Sequence, residues 1–364
     1  MRNDPNELRE ILALSLVKNM GPVAFKRLLE TFGSVSAIFR APVPALRKVK
    51  GARRAALEAL KDPSLFKKAD AEIKKANDAG VEILSFFDTR YPEELKEIYD
   101  PPILLYVKGS LEGDAPRIAV VGSRSTSIYG RETTRRLSRE LAAAGLVVVS
   151  GLAEGIDTAA HEGALEGRGR TFAVLGGGLS RIYPKANEKL AQRICQNGAL
   201  LSEYPMEMAP LPQYFPVRNR LISGLSRAVL VIEARKNSGA LITADAALEQ
   251  GREVFAVPGN IDSIRSEGTN SLLRDGAKLV TSAADILDEW KWRPGETVSE
   301  KRLPRPPLEP AEKKLLSLLD AQSLQIETLI EESRLPVNQA LSLLSVMEMK
   351  GLVKELPGKH YAKK

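Results

Sequence analysis

The sequence predicts an α/β fold built on a doubly wound, mostly parallel sheet, with a helical segment before it and a small helix-and-hairpin domain after it. Three observations carry this. Short β-branched runs alternate with helical stretches over residues 117–281. The first 78 residues hold helical patterns alone, and a stretch rich in proline and charge sets off the residues beyond 310.

The helical segment, residues 1–78, opens with the amphipathic ELREILALSLVKN. GPVAFKRLLETFGSVSAIFRA and ALRKVKGARRAALEALKD follow, with glycine at the breaks. Short helices joined by such turns read as a SAM-like or helix-hairpin-helix-like domain. In the hairpin reading, backbone amides beside Gly51 meet a DNA phosphate. In the other reading the module serves packing or partner contact.

From residue 79 the pattern changes. VEILSFFD and ILLYVKGS are strand-like and flank the turn-rich TRYPEELKEIYDPP. RIAVVGSR, LVVVSG, TFAVLGG, ALLSEYP, AVLVIEA, EVFAVPG and KLVTS follow as further strands, most of them separated by stretches such as GRETTRRLSRELAAAG. Strands alternating with helices imply a parallel sheet covered on both faces. Residues 79–292, with a core at 117–281, are therefore expected to form an extended Rossmann-like domain. Residues 293–310, RPGETVSEKRLPRPPLEP, read as a linker. In residues 311–364, three amphipathic helices and the hairpin-like LVKELPGKHYAKK follow the winged-helix order, with Pro336 near the start of the third helix. Acidic and basic residues nearly balance there, which argues against strong duplex binding and suits protein contact.

Ligands of parallel sheets bind outside the carboxyl ends of the strands, and three segments there are informative. GSRSTSIYG follows the first strand of the alternation: Gly122 allows close approach to a phosphate, Ser123, Ser125 and Ser127 offer hydroxyls, and Arg124 a charge-assisted pair. It lacks the GxGxxG spacing, and the next strand ends in Ser150 and Gly151 instead of an acid. A dinucleotide cofactor is disfavoured, and no cofactor is expected. In SGLAEGIDTAAH, Gly151 and Gly155 permit a tight turn, Asp157 or Thr158 would cap the next helix, and His161 reads as structural. The loop FPVRNRLISGLSR gathers Arg218, Arg220 and Arg227 beside Tyr214 and Phe215, and IEARKNSGALITA adds Arg235, Lys236 and an anion site at Ser238 and Gly239. Cations interleaved with aromatics suit a single nucleic-acid strand, charge for its backbone and a ring face for a base.

Several classes are excluded or disfavoured. There is no Walker loop, GxSxG elbow, HExxH or paired-carboxylate motif, so no catalytic residue is expected. One cysteine, Cys195, rules out an internal disulfide framework, and two histidines leave few ligands for a metal site. No apolar run reaches a membrane span and the start is not a signal peptide, which favours the cytoplasm. A net charge of +7 is compatible with a polyanionic partner.

Taken in order, GSRSTSIYG, SGLAEGIDTAAHEGAL, TFAVLGGGLSRIYPKAN, LLSEYP, FPVRNRLISGLSRAVLVIEA, SGALITADAALEQGREVFAVPG and GTNSLLRDGAKLV closely resemble the DNA-processing protein A family, DprA or Smf. The resemblance implies a non-catalytic bacterial protein that binds single-stranded DNA, loads the recombinase RecA onto it and supports natural transformation. It also implies a homodimer formed through the Rossmann-like domain, by surfaces in its C-terminal half. Carried over by motif, Gly122, Ser123 and Arg124 would hold a phosphate with Ser127 nearby, and Gly151 and Gly155 would shape a second wall. Phe215, Arg218, Asn219 and Arg220 would line the strand's path, with Lys185 and Ser238 beside it. This chain departs from some members in having Leu211, Pro212, Gln213 and Tyr214 where a lysine precedes the Phe-Pro pair, and Glu154 where a basic residue occurs. A competing class is a Rossmann-like nucleoside-monophosphate phosphoribohydrolase, whose PGGxGTxxE-type signature is not matched. A third is a duplex-binding regulator acting through the winged helix.

Overall fold

The computed structural model describes residues 4–18, 20–49, 51, 53–293, 309–319, 324–349, 352–356 and 359–363. The expected linker at 293–310 lies, apart from its ends, outside the described residues. Contacts divide the chain into two units, residues 1–297 and 298–364.

The first unit opens with helices α1 (Pro5–Ser15), α2 (Pro22–Phe32), α3 (Val35–Arg40), α4 (Val43–Leu46), α5 (Arg54–Ala59) and α6 (Ser64–Asp78). Local chemistry sets several of their ends. Proline, which needs no amide partner in a first turn, begins α1 and α2. Gly33 at φ 77° closes α2, and the Ser34 hydroxyl accepts from the Ala37 amide at 3.2 Å to cap α3. The apolar faces do not form a core of their own. Ile11, Leu14, Phe25, Leu28 and Ile38 join one cluster with Leu104, Tyr106, Ala173 and Leu200 of the sheet.

The sheet and its helices then run β1 (Glu82–Ser85), α7 (Glu93–Lys96), β2 (Leu104–Gly109), β3 (Arg117–Val121), α8 (Ile128–Ala143), β4 (Val147–Ser150), α9 (Ile156–Glu166) and β5 (Thr171–Val174). They continue through α10 (Glu188–Asn197), β6 (Gly198–Ser202), α11 (Tyr214–Gly224), β7 (Ala228–Val231), α12 (Gly239–Glu249), β8 (Glu253–Ala256), α13 (Glu267–Arg274), β9 (Lys278–Leu279) and α14 (Ala283–Glu289). The strand order is β1-β2-β6-β5-β4-β3-β7-β8-β9. Strands β3 to β9 pair in parallel, and β2 pairs antiparallel with both β1 and β6. The expected doubly wound, mostly parallel sheet is therefore present. The chain winds outward one way from β3 through β4, β5 and β6, then returns to β7 on the other side of β3. The sheet thus has its topological switch point between β3 and β7.

Side chains alternate across the pleat. Ile118 and Val120 pack with Leu137 and Leu141 of α8 and Ala160 of α9; Ala119 and Val121 pack with Leu221 of α11 and Ala244 of α12. Helices α8 and α9 approach closely because Gly163 and Gly167 lack side chains: a Cβ on either would lie 2.4 Å from a backbone oxygen of α8.

The second unit holds α15 (Pro310–Leu318), β10 (Leu324–Gln325), α16 (Ile326–Ser333), α17 (Val337–Met349), β11 (Val353–Leu356) and β12 (His360–Lys363). The three helices and the hairpin appear as expected, and β10 adds a third strand beside β12. Leu315, Leu329, Leu344 and Met347 are fully buried in its core. Among the described residues no helix is long and apolar enough to cross a membrane.

Candidate nucleic-acid interface

A cleft of about 620 Å³ opens at the switch point. Residues following β3 (Gly122, Ser123, Arg124) and residues following β7 (Arg235 to Gly239) form two of its sides, and Phe215, Arg218, Asn219 and Ile222 of α11 form a third. Positions 215, 218, 219 and 222 share one helical face at i, i+3, i+4 and i+7. FPVRNR, expected as a loop, is thus part of a helix. Pro216 is accommodated because it falls in the first turn, where an amide has no intrahelical partner.

Arg218 is the most constrained cation of the site, only 4% exposed. Its Nη1 donates to the carbonyls of Gly151, at 2.8 Å, and Val174. No carboxylate pairs with it among the described residues. Burial draws the guanidinium down to about 10; Asp157 opposes this, and the like charge of Arg124 adds to it. Asp157 is itself buried, which raises its pKa, and it accepts from the Gly151 and Ala153 amides at 3.2 and 3.3 Å.

Arg124 is exposed and makes no ion pair among the described residues. Its guanidinium sits 5.3 Å from the Phe215 ring centroid, and that of Arg218 sits 5.9 Å from the same ring. Tyr183 stands beside the ring at 5.7 Å. Gly176 makes room for Phe215, since a Cβ there would lie 2.8 Å from its Cδ1. On the far wall, the N-terminus of α12 faces the cleft with Ser238 as its cap, and the Ser238 hydroxyl accepts from the Ala240 amide at 3.3 Å. The lining holds four cationic side chains, Arg124, Arg218, Arg235 and Lys236, against two carboxylates, Asp157 and Glu267. Chemically this is a cationic cleft with an aromatic wall, an arrangement able to take an anion.

Of the residues expected from sequence, Gly122, Ser123, Arg124, Phe215, Arg218, Asn219 and Ser238 come together around the cleft. Gly151 and Gly155 lie behind it as backbone supports. Gly155, at φ 84°, starts α9 against the Ser123 and Arg124 carbonyls, where a Cβ would come to 2.4 Å. Neither Asp157 nor Thr158 caps α9, because the helix begins before them at Ile156. Ser127 caps α8: its hydroxyl accepts from the Gly130 amide at 2.9 Å and donates to Glu233. Lys185 opens a short 3-10 turn outside the lining, while its neighbour Tyr183 is part of it.

Arg220 requires a correction. It stands two positions from Arg218 and so projects from another face of α11. There it pairs with Glu203 at 2.5 Å and Asp100 at 3.0 Å, only 13% of its side chain exposed, and it does not line the cleft.

His161 is structural as expected: fully buried, with Nδ1 donating to Thr171 Oγ1 at 2.7 Å. The residues that sequence reasoning passed over are Tyr183, whose signal was its place at the end of the GGG segment, and Glu233, the acid within IEARKNSGALITA. Among the described residues no His, Cys, Asp and Glu cluster could hold a metal.

Fold and cleft together define a class, that of Rossmann-like proteins with a cationic, aromatic-walled cleft at the switch point. The family model for DNA recombination-mediator protein A matches residues 82–291, and that for the DprA winged helix domain matches residues 299–359. The chain belongs to this DprA/Smf family. It is 49% identical to the DNA processing protein DprA of Streptococcus pneumoniae over 57% of this chain and 74% of that one. It is 35% identical to the protein Smf of Synechocystis over 97% and 98% of the two. The X-ray structure of the pneumococcal protein superposes with a TM-score of 0.68 at 39% identity, over 79% of this chain and 99% of that one. A Helicobacter pylori DNA processing protein A, whose structure concerns its single-stranded DNA binding mode, superposes with 0.53 at 34% identity, over 58% and 95%.

Proposed function

We propose that this chain is a single-stranded-DNA-binding recombination mediator, non-catalytic, that loads RecA onto the strand and supports natural transformation in the cytoplasm. The observation that carries this reading is Arg218, a buried cation without a paired carboxylate among the described residues, set beside Arg124 with the Phe215 ring near both. Two guanidiniums so placed repel one another until an anion enters between them. A phosphodiester supplies that anion and a base supplies a face for Phe215. Gly122, Ser123 and Arg124 take one phosphate, while Asn219 and Ser238 with the α12 N-terminus take a neighbouring one. Ser127, Gly151 and Gly155 support these walls, and Lys185 adds positive potential from outside.

We assign the division of labour to a helical segment at 1–78, the strand-binding domain at 79–292, a linker at 293–310 and the winged helix at 311–364. A homodimer would draw on the C-terminal half of the strand-binding domain, where Leu248 is 61% and Leu279 54% exposed. The test is RecA nucleation on a long single strand already coated with single-strand-binding protein. RecA ATPase should rise faster with this chain present; no change would overturn the loading role. Incubation with nucleoside monophosphates should release no free base, and release would favour the phosphoribohydrolase reading.

A further inference from the structure

Beyond the residues that face the cleft, we infer that Glu233 is the positioning residue of the phosphate loop, a buried carboxylate that holds residues 122–130 in their binding shape without touching the strand. This rests on the cleft being the strand's site.

Glu233 lies two residues past β7 and is 4% exposed. It grips the loop at both ends. Its backbone carbonyl accepts from the Ser123 amide at 2.8 Å. Its carboxylate accepts from the Ser127 amide at 2.9 Å, the Ser127 hydroxyl at 2.5 Å and the Thr126 hydroxyl at 2.8 Å. The loop is shaped around this side chain: a Cβ on Gly130 would come to 2.3 Å of the carboxylate carbon, and one on Gly122 to 2.9 Å of the Glu233 carbonyl oxygen.

Among the described residues no cation pairs with Glu233. A buried carboxylate in that state depends on its donors. Swinging the loop away would strand the charge, so loop and carboxylate stabilise one conformation together. The negative charge itself works against a phosphate on the loop's other side. What the site draws from Glu233 is therefore its acceptor geometry, and the benefit is a loop ordered before the strand arrives.

The test uses the full chain and a labelled oligothymidylate. Glu233→Ala should weaken binding about tenfold, equivalent to about 1.4 kcal/mol. Glu233→Gln should regain most of that loss, because the amide oxygen still accepts and its nitrogen can donate to the Ser127 hydroxyl. The double variant Glu233→Ala/Ser127→Ala should bind no more weakly than the weaker single variant, since both changes break one linkage. A folded Glu233→Ala variant with wild-type affinity would overturn the proposal, as would Glu233→Gln binding no better than Glu233→Ala. Should Glu233→Ala not fold, hydrogen exchange on the wild-type chain without DNA decides: slow exchange of the Ser123 and Ser127 amides supports the inference, and fast exchange overturns it. Failure of the wild-type chain to bind oligothymidylate would refute the cleft as strand site, while the exchange result would still report on the loop.

Discussion

Arg124, Arg218 and Arg220 differ in their surroundings more than in their chemistry, and their variants should separate accordingly. Arg124 is exposed and makes no ion pair among the described residues, so Arg124→Ala should weaken single-strand binding and lower the salt slope by about 0.7, the value for one phosphate contact, with no change in melting temperature. Arg220 is held by Glu203 and Asp100, and Arg220→Ala leaves the largely buried Glu203 carboxylate without the guanidinium that pairs with it. Urea titration should show a loss of about 3 kcal/mol, with the salt slope of DNA binding unchanged. His161 gives a pH signature. Burial holds its folded-state value near 3, below the ordinary 6.5, so the unfolded chain takes up the proton first. Its contribution to stability should be lost as pH falls from about 6.5 toward 3. Over that range the urea midpoint of the wild type should drop more steeply than that of His161→Gln; parallel slopes would contradict the assignment.

The strands were legible in the sequence because their β-branched runs are buried on both sides, which leaves a continuous apolar signal. The two-residue β10 carries no such signal. At the cleft, glycines and serines after β3 could be read because backbone approach to an anion requires those residue types. Residues 214–224 could not be placed as surely. Proline in FPVRNR resembles a loop, and an error in the helix phase decides whether Arg220 faces the cleft or Glu203. Helix packing offers a sharper test. Gly163→Ala should place its Cβ against the Arg135 carbonyl and force α8 from α9, lowering stability by about 1–3 kcal/mol or more. An unchanged melting temperature would show that the two helices adjust freely.

At the scale of the whole chain, the candidate binding residues gather in the first unit. In the second, α17 carries no lysine or arginine in VNQALSLLSVMEM, so it cannot itself neutralise phosphates as a duplex-reading helix would. A chain ending at residue 293 should keep its single-strand affinity and salt slope in a fluorescence titration; loss of either would assign the second unit a direct part in strand binding. The cleft as a single-strand site is tested by titrating labelled oligothymidylate and a duplex of equal length across a salt series. Binding of the single strand should be tighter, with the logarithm of affinity falling linearly with the logarithm of salt concentration. Equal affinity for both, or an affinity indifferent to salt, would contradict it.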